Sequence, residues 1–292
     1  MTVTQRRPTL RSVMNRPTIS ALIHTRNETR WIAGCVRSVL WTDEIVVADM
    51  CSTDDTREIA TSMGARIVEM PLAENVDMVR NQALAACKGD WILVVDADET
   101  VSPGLAARLR DLSATPAAEA YALPRRNYFY GEWVEHIFWP DHQVRFFRRG
   151  AAFWDGVIHH PPEIRGRLEA LPAVPECALE HPGYCNDIHR FMLKLVHYSR
   201  LEVERMRELK PEAWPFLVRR PVSEFVGRYF RGGWRHGLSG LVLSLILAMY
   251  QLFIGLQYWE AVWRNAAAPA PSALRRGVRR EVWRTACKVI FQ

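Results

Sequence analysis

Asp96, Asp98 and Glu99 put three carboxylates within four residues, directly after the apolar run Trp91 to Val95. Like charges this close repel, and burying them without compensation is costly, so the cluster calls for a cation. An all-oxygen donor set suits a hard divalent ion, Mg²⁺ or Mn²⁺, which commonly joins one or two carboxylates to phosphate groups. The same residues also read as a polar strand-to-helix turn, with Thr100 or Ser102 capping a helix that opens at Pro103. Such a turn needs one acid or hydroxyl, not three acids.

The elements that must hold this cluster are legible upstream. Ile19 to Ile23, Ile45 to Ala48, Ala65 to Val68 and Trp91 to Val95 read as four strands, rich in β-branched residues. Helical spacing over Trp31–Leu40, N-cap chemistry at Ser52-Thr53-Asp54-Asp55-Thr56 before a helix to Met63, and a helix from Asp77 to Cys87 fill the gaps. Strands alternating with single helices predict parallel βαβ units in an open α/β sheet, whose ligands bind outside the carboxyl ends of the strands. Asn27-Glu28, Asp49 with Ser52-Thr53-Asp54, and Asp96-Ala97-Asp98-Glu99 all stand at such ends. No G-x-G-x-x-G follows the first strand and no G-x-x-x-x-G-K-[ST] occurs, which disfavours a dinucleotide site or a P-loop. Phosphates bound here would need a metal.

Further pieces recur in a recognisable order: Thr25-Arg26-Asn27-Glu28, Asp49-Met50-Cys51-Ser52-Thr53-Asp54-Asp55-Thr56, Arg80-Asn81-Gln82-Ala83-Leu84, Gly89-Asp90-Trp91, the acidic cluster, Trp139-Pro140-Asp141-His142-Gln143 running to Arg149, and Trp154-Asp155-Gly156-Val157-Ile158-His159. Carrying these, residues 18–200 resemble the family 2 glycosyltransferases of GT-A fold, a Rossmann-like nucleotide-sugar-binding domain, and in particular the lipopolysaccharide-core β-glucosyltransferase-like branch. The resemblance implies donor-binding roles for Thr25, Asn27, Glu28, Asp49, Arg80, Asp96 and Arg145. Asp49 would accept the imide N–H of a uracil-type base, Glu28 would lie near the nucleoside and Arg80 near the base or phosphates. Asp98 would bind the metal, Asp96 the ribose or the metal shell, and His159 would be a further metal ligand. His160 stands where the branch usually has glutamate. Asp141 is the expected general base, with Asp155 and Glu99 as fallbacks, and Arg145 would hold the diphosphate. The aromatic residues Tyr128, Phe129, Tyr130, Trp133, Phe138 and Trp139 suit either an acceptor platform or a core.

Cys177, His181, Cys185 and His189 recur every four residues, which invites zinc. Pro182-Gly183 interrupts a helix that would align them, and no C-x₂₋₄-C pair is present. The better reading has Asn186 or Asp187 capping a helix that runs to about Leu209, with Ile188, Phe191, Met192 and Leu195 facing the core.

Six cysteines scattered through 292 residues, with no secretion signal at the N-terminus, fit a reduced, cytoplasmic setting. Gly237 to Trp259 is an uncharged stretch of 23 residues, long enough to cross a bilayer, with Arg219, Arg220, Arg228, Arg231 and Arg235 ahead of it. The formal net charge of +6 sits mostly in residues 274–292, where six basic residues face one acid. That argues for a local anionic partner, such as a lipid surface, and against a nucleic-acid-binding body. There Leu274, Val278, Val282 and Ala286 form the apolar stripe of an amphipathic helix. A single crossing would put this basic tail on the wrong side by the positive-inside rule, so a peripheral or re-entrant segment on the cytoplasmic face of the inner membrane is expected. Packing of both segments as core or homo-oligomer interface is the alternative.

The expected organisation is a flexible leader (1–17), a GT-A domain with a mostly parallel sheet (18–210), a basic and apolar membrane-association region (211–264), and a linker with a basic helix (265–292). The expected activity is inverting, Mn²⁺- or Mg²⁺-dependent transfer of a sugar from a nucleotide-diphosphate donor, a UDP-sugar, to a lipid-linked or envelope-glycan acceptor. A sugar-nucleotide nucleotidylyltransferase and a catalytically silent membrane-bound sugar-binding scaffold are the competing readings. The first usually needs a glycine-rich loop that Thr25-Arg26-Asn27-Glu28 lacks.

Overall fold

The four apolar runs are strands. A computed structural model describes residues 16–156, 160–209 and 215–265. β1 (Ile19–Thr25), β2 (Glu44–Asp49), β3 (Arg66–Glu69) and β4 (Trp91–Asp96) alternate with α1 (Ile32–Ser38), α2 (Thr56–Ser62) and α3 (Arg80–Ala85). The helix expected from Asp77 to Cys87 is shorter. A 3₁₀ turn, Val76–Met78, precedes α3, and the Asn75 side chain accepts the Asp77 amide at its start. Beyond the acidic cluster come β5 (Thr100–Val101), α4 (Pro103–Ala114), β6 (Ala120–Leu123), β7 (Arg125–Phe129), β8 (Glu132–Trp133) and α5 (Glu135–Phe138). Then follow β9 (Gln143–Arg148), β10 (Ala152–Phe153), β11 (Glu163–Ile164), β12 (Leu168–Ala170), β13 (Leu179–Cys185), α6 (Ile188–Leu209), α7 (Arg220–Arg231) and α8 (Gly237–Asn265). Residues 1–15, Val157-Ile158-His159 and the basic tail lie outside the described residues, so the leader, His159 and the tail helix keep the status of expectations.

Seven strands form one sheet in the order β12-β6-β9-β4-β1-β2-β3. β1 pairs in parallel with both β2 and β4, β2 with β3, and β12 with β6, while β9 runs antiparallel to β4 and β6. The sheet is therefore mostly parallel, as its sequence pattern implies. Both faces are covered, which is why β1 and β4 read as continuous apolar runs. Ile19, Ala21, Ile23, Leu93 and Val95 pack on one side with Ile32 and Val36 of α1 and Leu105 and Leu109 of α4. Leu22, Ile92 and Val94 pack on the other with Val79 and Ala83. Ser102 caps α4 through Leu105 N–H, with Pro103 in the first turn, so the turn chemistry and the acid cluster coexist.

The described residues divide into two compact units. The first runs to Arg126 and resumes over Pro140–Gly183; the second takes Asn127–Trp139 and everything from Tyr184 onward. This differs from the boundary expected at 210. Phe129, Val134 and Ile137 share an apolar cluster with Phe191 and Leu195 of α6 and Leu243 of α8, and that burial draws both α6 and the 127–139 excursion into the second unit. Phe129 thus belongs to a core, and Trp133 meets Trp139 edge-on in the same unit. Asp187 caps α6 as expected, its carboxylate accepting Arg190 N–H at 3.0 Å. Ile188, expected in the core, is instead exposed, because it precedes the turn that first meets α8.

Trp91 is fully buried and stacks on Phe146 with 4.8 Å between ring centroids. Trp91→Ala is expected to lower the free energy of unfolding by about 3–5 kcal/mol. Urea unfolding followed by far-UV circular dichroism measures it.

Candidate active site

The first unit gathers its polar residues at the carboxyl ends of β1, β2 and β4. Asn27 and Cys51 leave β1 and β2 with φ of +56° each, a left-handed conformation that asparagine tolerates better than cysteine. These two turns are tied together. Asn27 N–H donates to Ser52 Oγ at 2.9 Å, and the Asn27 side-chain oxygen accepts Thr53 N–H at 2.8 Å. Glu28 N–H donates to Thr56 Oγ1, and Thr29 N–H to Asp54. Asp49, almost fully buried, accepts Ser52 N–H at 3.0 Å and the Ser52 hydroxyl, with Arg57 at 3.8 Å. It is held rigidly with its carboxylate at the strand end.

Beyond β4 the three acids of the cluster have three different surroundings. Asp96 is half-buried. Arg145, from β9, forks onto both of its oxygens, and Arg80 lies 3.6 Å from it. Burial alone would raise the Asp96 carboxyl, but Arg145, Arg80 and Arg125 hold it well below the usual carboxylate range. Glu99 is completely buried, accepts Asp96 N–H at 3.1 Å and takes Arg125 Nη1 at 2.8 Å. Arg125 also reaches Asp141 with Nε at 2.9 Å and Nη2 at 2.7 Å, and Gln143 donates to the other Asp141 oxygen. Asp98 is the exception. Its Oδ2 lies 3.3 Å from His181 Nε2 of β13. Gly183, two residues on, passes so close that a Cβ there would strike the Asp98 side chain.

Several expectations change on this geometry. Positive charge beside these acids comes from the protein itself: Arg145 and Arg80 face Asp96, and Arg125 pairs with Glu99. Arg145 neutralises Asp96 instead of standing free for a diphosphate. Glu99 is completely buried while a base must reach the acceptor hydroxyl, which removes it as a fallback base; the Asp141 side chain keeps 22% exposure. Asp155, the other fallback, is exposed and pairs with His160 at 2.8 Å. The four-residue Cys/His repeat is split between a 3₁₀ turn, strand β13 and the first turn of α6, so the zinc alignment fails; among the described residues no three His, Cys, Asp or Glu side chains converge as a metal cage.

Buried polar atoms without hydrogen-bond partners cluster here as well. They include Thr25 Oγ1, Arg80 Nη1, Arg145 Nε and both ring nitrogens of His24. Orphaned buried donors are costly, and several around one strand end indicate a polar ligand. Sequence reasoning did not single out Arg125 or His24, and it met His181 only within the zinc reading. The charge of Arg125 between two apolar strands, and His24 closing an apolar run, were the available signals.

A family model described as glycosyl transferase family 2 matches residues 20–166, half of the chain. The chain belongs to that family. An uncharacterized glycosyltransferase of Rickettsia typhi is 38% identical over 254 residues, covering 79% of this chain and 82% of its own. The lipopolysaccharide core biosynthesis glycosyltransferase LpsC of Rhizobium meliloti is 25% identical over 87% of this chain and 95% of its own. Other relatives match less: alignments at 37% and 38% identity span only 27% and 36% of two longer or divergent proteins. A solved glucosyl-3-phosphoglycerate synthase from Mycobacterium tuberculosis, in complex with Mn²⁺, UDP and glucosyl-3-phosphoglycerate, aligns over 44% of this chain and 51% of its own at 26% identity, with a TM-score of 0.33. Family membership sets aside the nucleotidylyltransferase reading. The family 2 domain has the mixed α/β, mostly parallel GT-A architecture described above.

Two outcomes follow from the charges. Arg125→Met takes the 2.8 Å ion pair from buried Glu99, leaving Arg145 at 3.7 Å, and is expected to cost about 3–5 kcal/mol of stability. Adding Glu99→Gln should recover part of that loss in a double-mutant cycle of urea unfolding. Burial, reinforced by Arg80, pushes His24 well below the ordinary imidazole range, so the native ring is neutral. Below about pH 6.5 the unfolded chain binds a proton at this residue that the native state does not. Stability therefore drops as the pH is lowered through that range, by up to about 1.4 kcal/mol per unit from this residue. His24→Leu should flatten the slope between unfolding curves taken at about pH 7.5, 6 and 5.

Proposed function

We propose that the chain transfers a sugar, with inversion, from a nucleotide-diphosphate donor, a UDP-sugar, to a lipid-linked or envelope-glycan acceptor of the lipopolysaccharide type. The observation that carries this reading is the Asp98–His181 pair, together with buried, unpartnered Thr25 Oγ1 at the end of β1 and Nη1 of Arg80, the side chain that faces Asp96. These are groups for a metal and for a polar, anionic ligand, at strand ends without a glycine-rich phosphate loop.

The donor set fits a divalent cation. Asp98 Oδ2 and His181 Nε2 are 3.3 Å apart, close to the roughly 3 Å between neighbouring ligands each about 2.1 Å from one ion. Asp98 and His181 would hold it, with diphosphate oxygens and water completing the shell; when bound it would stabilise the charge that develops on the leaving nucleoside diphosphate. One imidazole with one carboxylate favours Mn²⁺ over Mg²⁺. His159, which lies outside the described residues, is retained as a candidate further ligand.

The chain's own residues divide the rest. Asp49 accepts the base N–H, with Thr25, Asn27 and Glu28 shaping the nucleoside side. Arg80 meets the phosphates. Asp96 and Arg145 form the neutralised floor on which the donor lies. Asp141 is the general base: it takes the acceptor hydroxyl proton as the new C–O bond forms and the donor's bond to phosphate breaks. Arg125 and Gln143 hold its carboxylate in place. The setting is the cytoplasmic face of the inner membrane, where a lipid-linked acceptor would be within reach and where α8, by length and composition, is a candidate membrane-associated helix.

A donor panel followed by nucleoside-diphosphate release, with Mn²⁺ or Mg²⁺ and a membrane lipid extract, tests the reaction. Asp98→Ala and His181→Ala should each lower turnover by about 100-fold or more while circular dichroism stays native. Calorimetry should show metal-dependent UDP binding lost in both. Asp141→Asn should lower kcat by about 10²–10⁴-fold with donor binding intact. Full metal-dependent turnover by Asp98→Ala would remove the site assignment, and a wild-type chain that neither binds UDP with metal nor releases it would favour the silent scaffold.

A further inference from the structure

The 29-residue helix α8 has two apolar faces of opposite fate. Leu243, Leu247, Ile254, Tyr258 and Ala261 are buried, in clusters that also hold Phe191, Leu195, Val203 and Met206 of α6. Leu238, Leu245, Met249, Leu256 and Trp263 are exposed. Their spacings of seven, four, seven and seven put them on one line along the other side of a helix with about 3.6 residues per turn. At about 1.5 Å per residue that line is about 38 Å long. Leu238 is 75% exposed, more than any other large apolar side chain among the described residues.

A transbilayer path for α8 conflicts with its partner helix. The contacts with α6 extend from Leu243 to Ala261, about 27 Å of helix, nearly the whole of a hydrocarbon core about 30 Å thick. Over that length α6 carries exposed Arg190, Lys194, Arg200, Glu204 and Arg205. Each charge drawn to the bilayer centre costs about 2.5–3.5 kcal/mol or more. Crossing would require α8 to leave α6.

Two occupants suit the exposed stripe, a lipid surface or a second copy of the chain. The spacing is that of a coiled-coil seam, but such a seam in water is bordered by charged residues that set its partner. Here the bordering positions left at least partly open are Ser239, Phe253 and Glu260 on one side and Leu241, Ala248 and Val262 on the other, with one charge among them, while Ile246 and Gly255 are buried. A band this wide and this apolar matches the boundary of a bilayer instead. The residues leading into α8 add the complementary charge. Phe230 and Trp234 are 65% and 55% exposed, Arg231 and Arg235 are exposed beside them, and Arg235 lies over the Trp234 ring at 5.5 Å. Aromatic rings with arginines are the residues that settle at headgroup level on an anionic surface.

We propose that α8 lies in the plane of an anionic membrane on its Leu238–Trp263 stripe, neither crossing nor re-entering, with the Phe230–Arg235 corner seated among the headgroups. This deepens the membrane setting proposed above and does not depend on the transfer reaction, because attachment is read without donor or acceptor.

Vesicle flotation with the full chain tests it, comparing phosphatidylcholine vesicles with vesicles that also contain phosphatidylglycerol. The expected result is binding to the anionic vesicles that weakens with salt. It should fall by about ten-fold or more in Leu245→Glu/Met249→Glu/Leu256→Glu, with metal-dependent UDP binding unchanged. Arg231→Glu/Arg235→Glu, which leaves the stripe intact, should weaken binding to anionic vesicles only. A fluorescent unnatural amino acid placed singly at 238, 249 or 263 should be quenched by lipids brominated at one common depth. Quenching at depths that progress from one site to the next would mean crossing and would overturn the proposal. So would unaltered vesicle binding by the triple variant, or a dimer in light scattering that the triple variant turns into a monomer without any vesicle binding by the wild type.

Discussion

Everything at the donor end of the sheet depends on one set of buried ion pairs. Arg125 bridges Glu99 and Asp141, Arg145 forks onto Asp96, and Arg80 spans Asp77 and Asp96. The pairs are shared: Asp96 faces both Arg145 and Arg80, and Arg145 also comes within 3.7 Å of Glu99, so each guanidinium serves more than one acid. Such a lattice adds little net stability, since the desolvation of each ion offsets most of the attraction. Its effect is geometric. It fixes where the backbone goes after β4, and Asp98 in the same cluster turns toward His181. One run of sequence thus supplies two acids paired with arginines and a third that meets a histidine.

The sheet was legible because its order follows from local pattern. Apolar runs of four to seven residues separated by single helices leave few topologies, and the right-handed crossover rule selects among them. What the pattern could not reveal is β9 inserting antiparallel between β4 and β6, since no local feature of Gln143–Arg148 records its direction. That insertion is what carries Arg145 to Asp96. β13 similarly returns His181 to Asp98 from 83 residues away. The need for positive charge around the acids was legible; its source was not, because the arginines come from strands whose placement is a tertiary fact. The excursion of residues 127–139 into the second unit has the same origin, an apolar contact made with α6 and α8 long after that segment is read.

The thiols and the turns show how tightly the remaining polar groups are organised. Cys35 donates to the Asp96 carbonyl, and burial, with Glu99, Asp98 and Asp96 nearby, raises its thiol well above the ordinary range. It stays protonated and behaves as a small apolar residue beneath the motif. The β1 and β2 turns are stitched by side chain to backbone bonds through Asn27, Ser52, Asp54 and Thr56, so neither can move without the other. Asp54, which burial alone would raise, is brought down to about 2 by the hydrogen bonds of Thr29 and Thr56. A polar loop pair in which each side chain has a fixed partner is preorganised, and that limits the ordering a bound nucleotide would have to impose.

The contrast between Asp98 and its neighbours bears on the order of events at the site. A cage with three or four protein ligands would hold a cation by itself. Here two protein donors face the position, and the described residues add no third. Two donors bind a hard ion weakly in water, because the ion keeps most of its hydration until further anionic oxygens replace it. Under the proposed function a diphosphate would supply those oxygens, so cation and nucleotide affinity should be strongly coupled, each raising the other by the same factor. Arg145 and Arg80 beside Asp96, and Arg125 beside Glu99, would sharpen that coupling, because they offset the local negative charge that would otherwise capture a cation alone and repel a diphosphate.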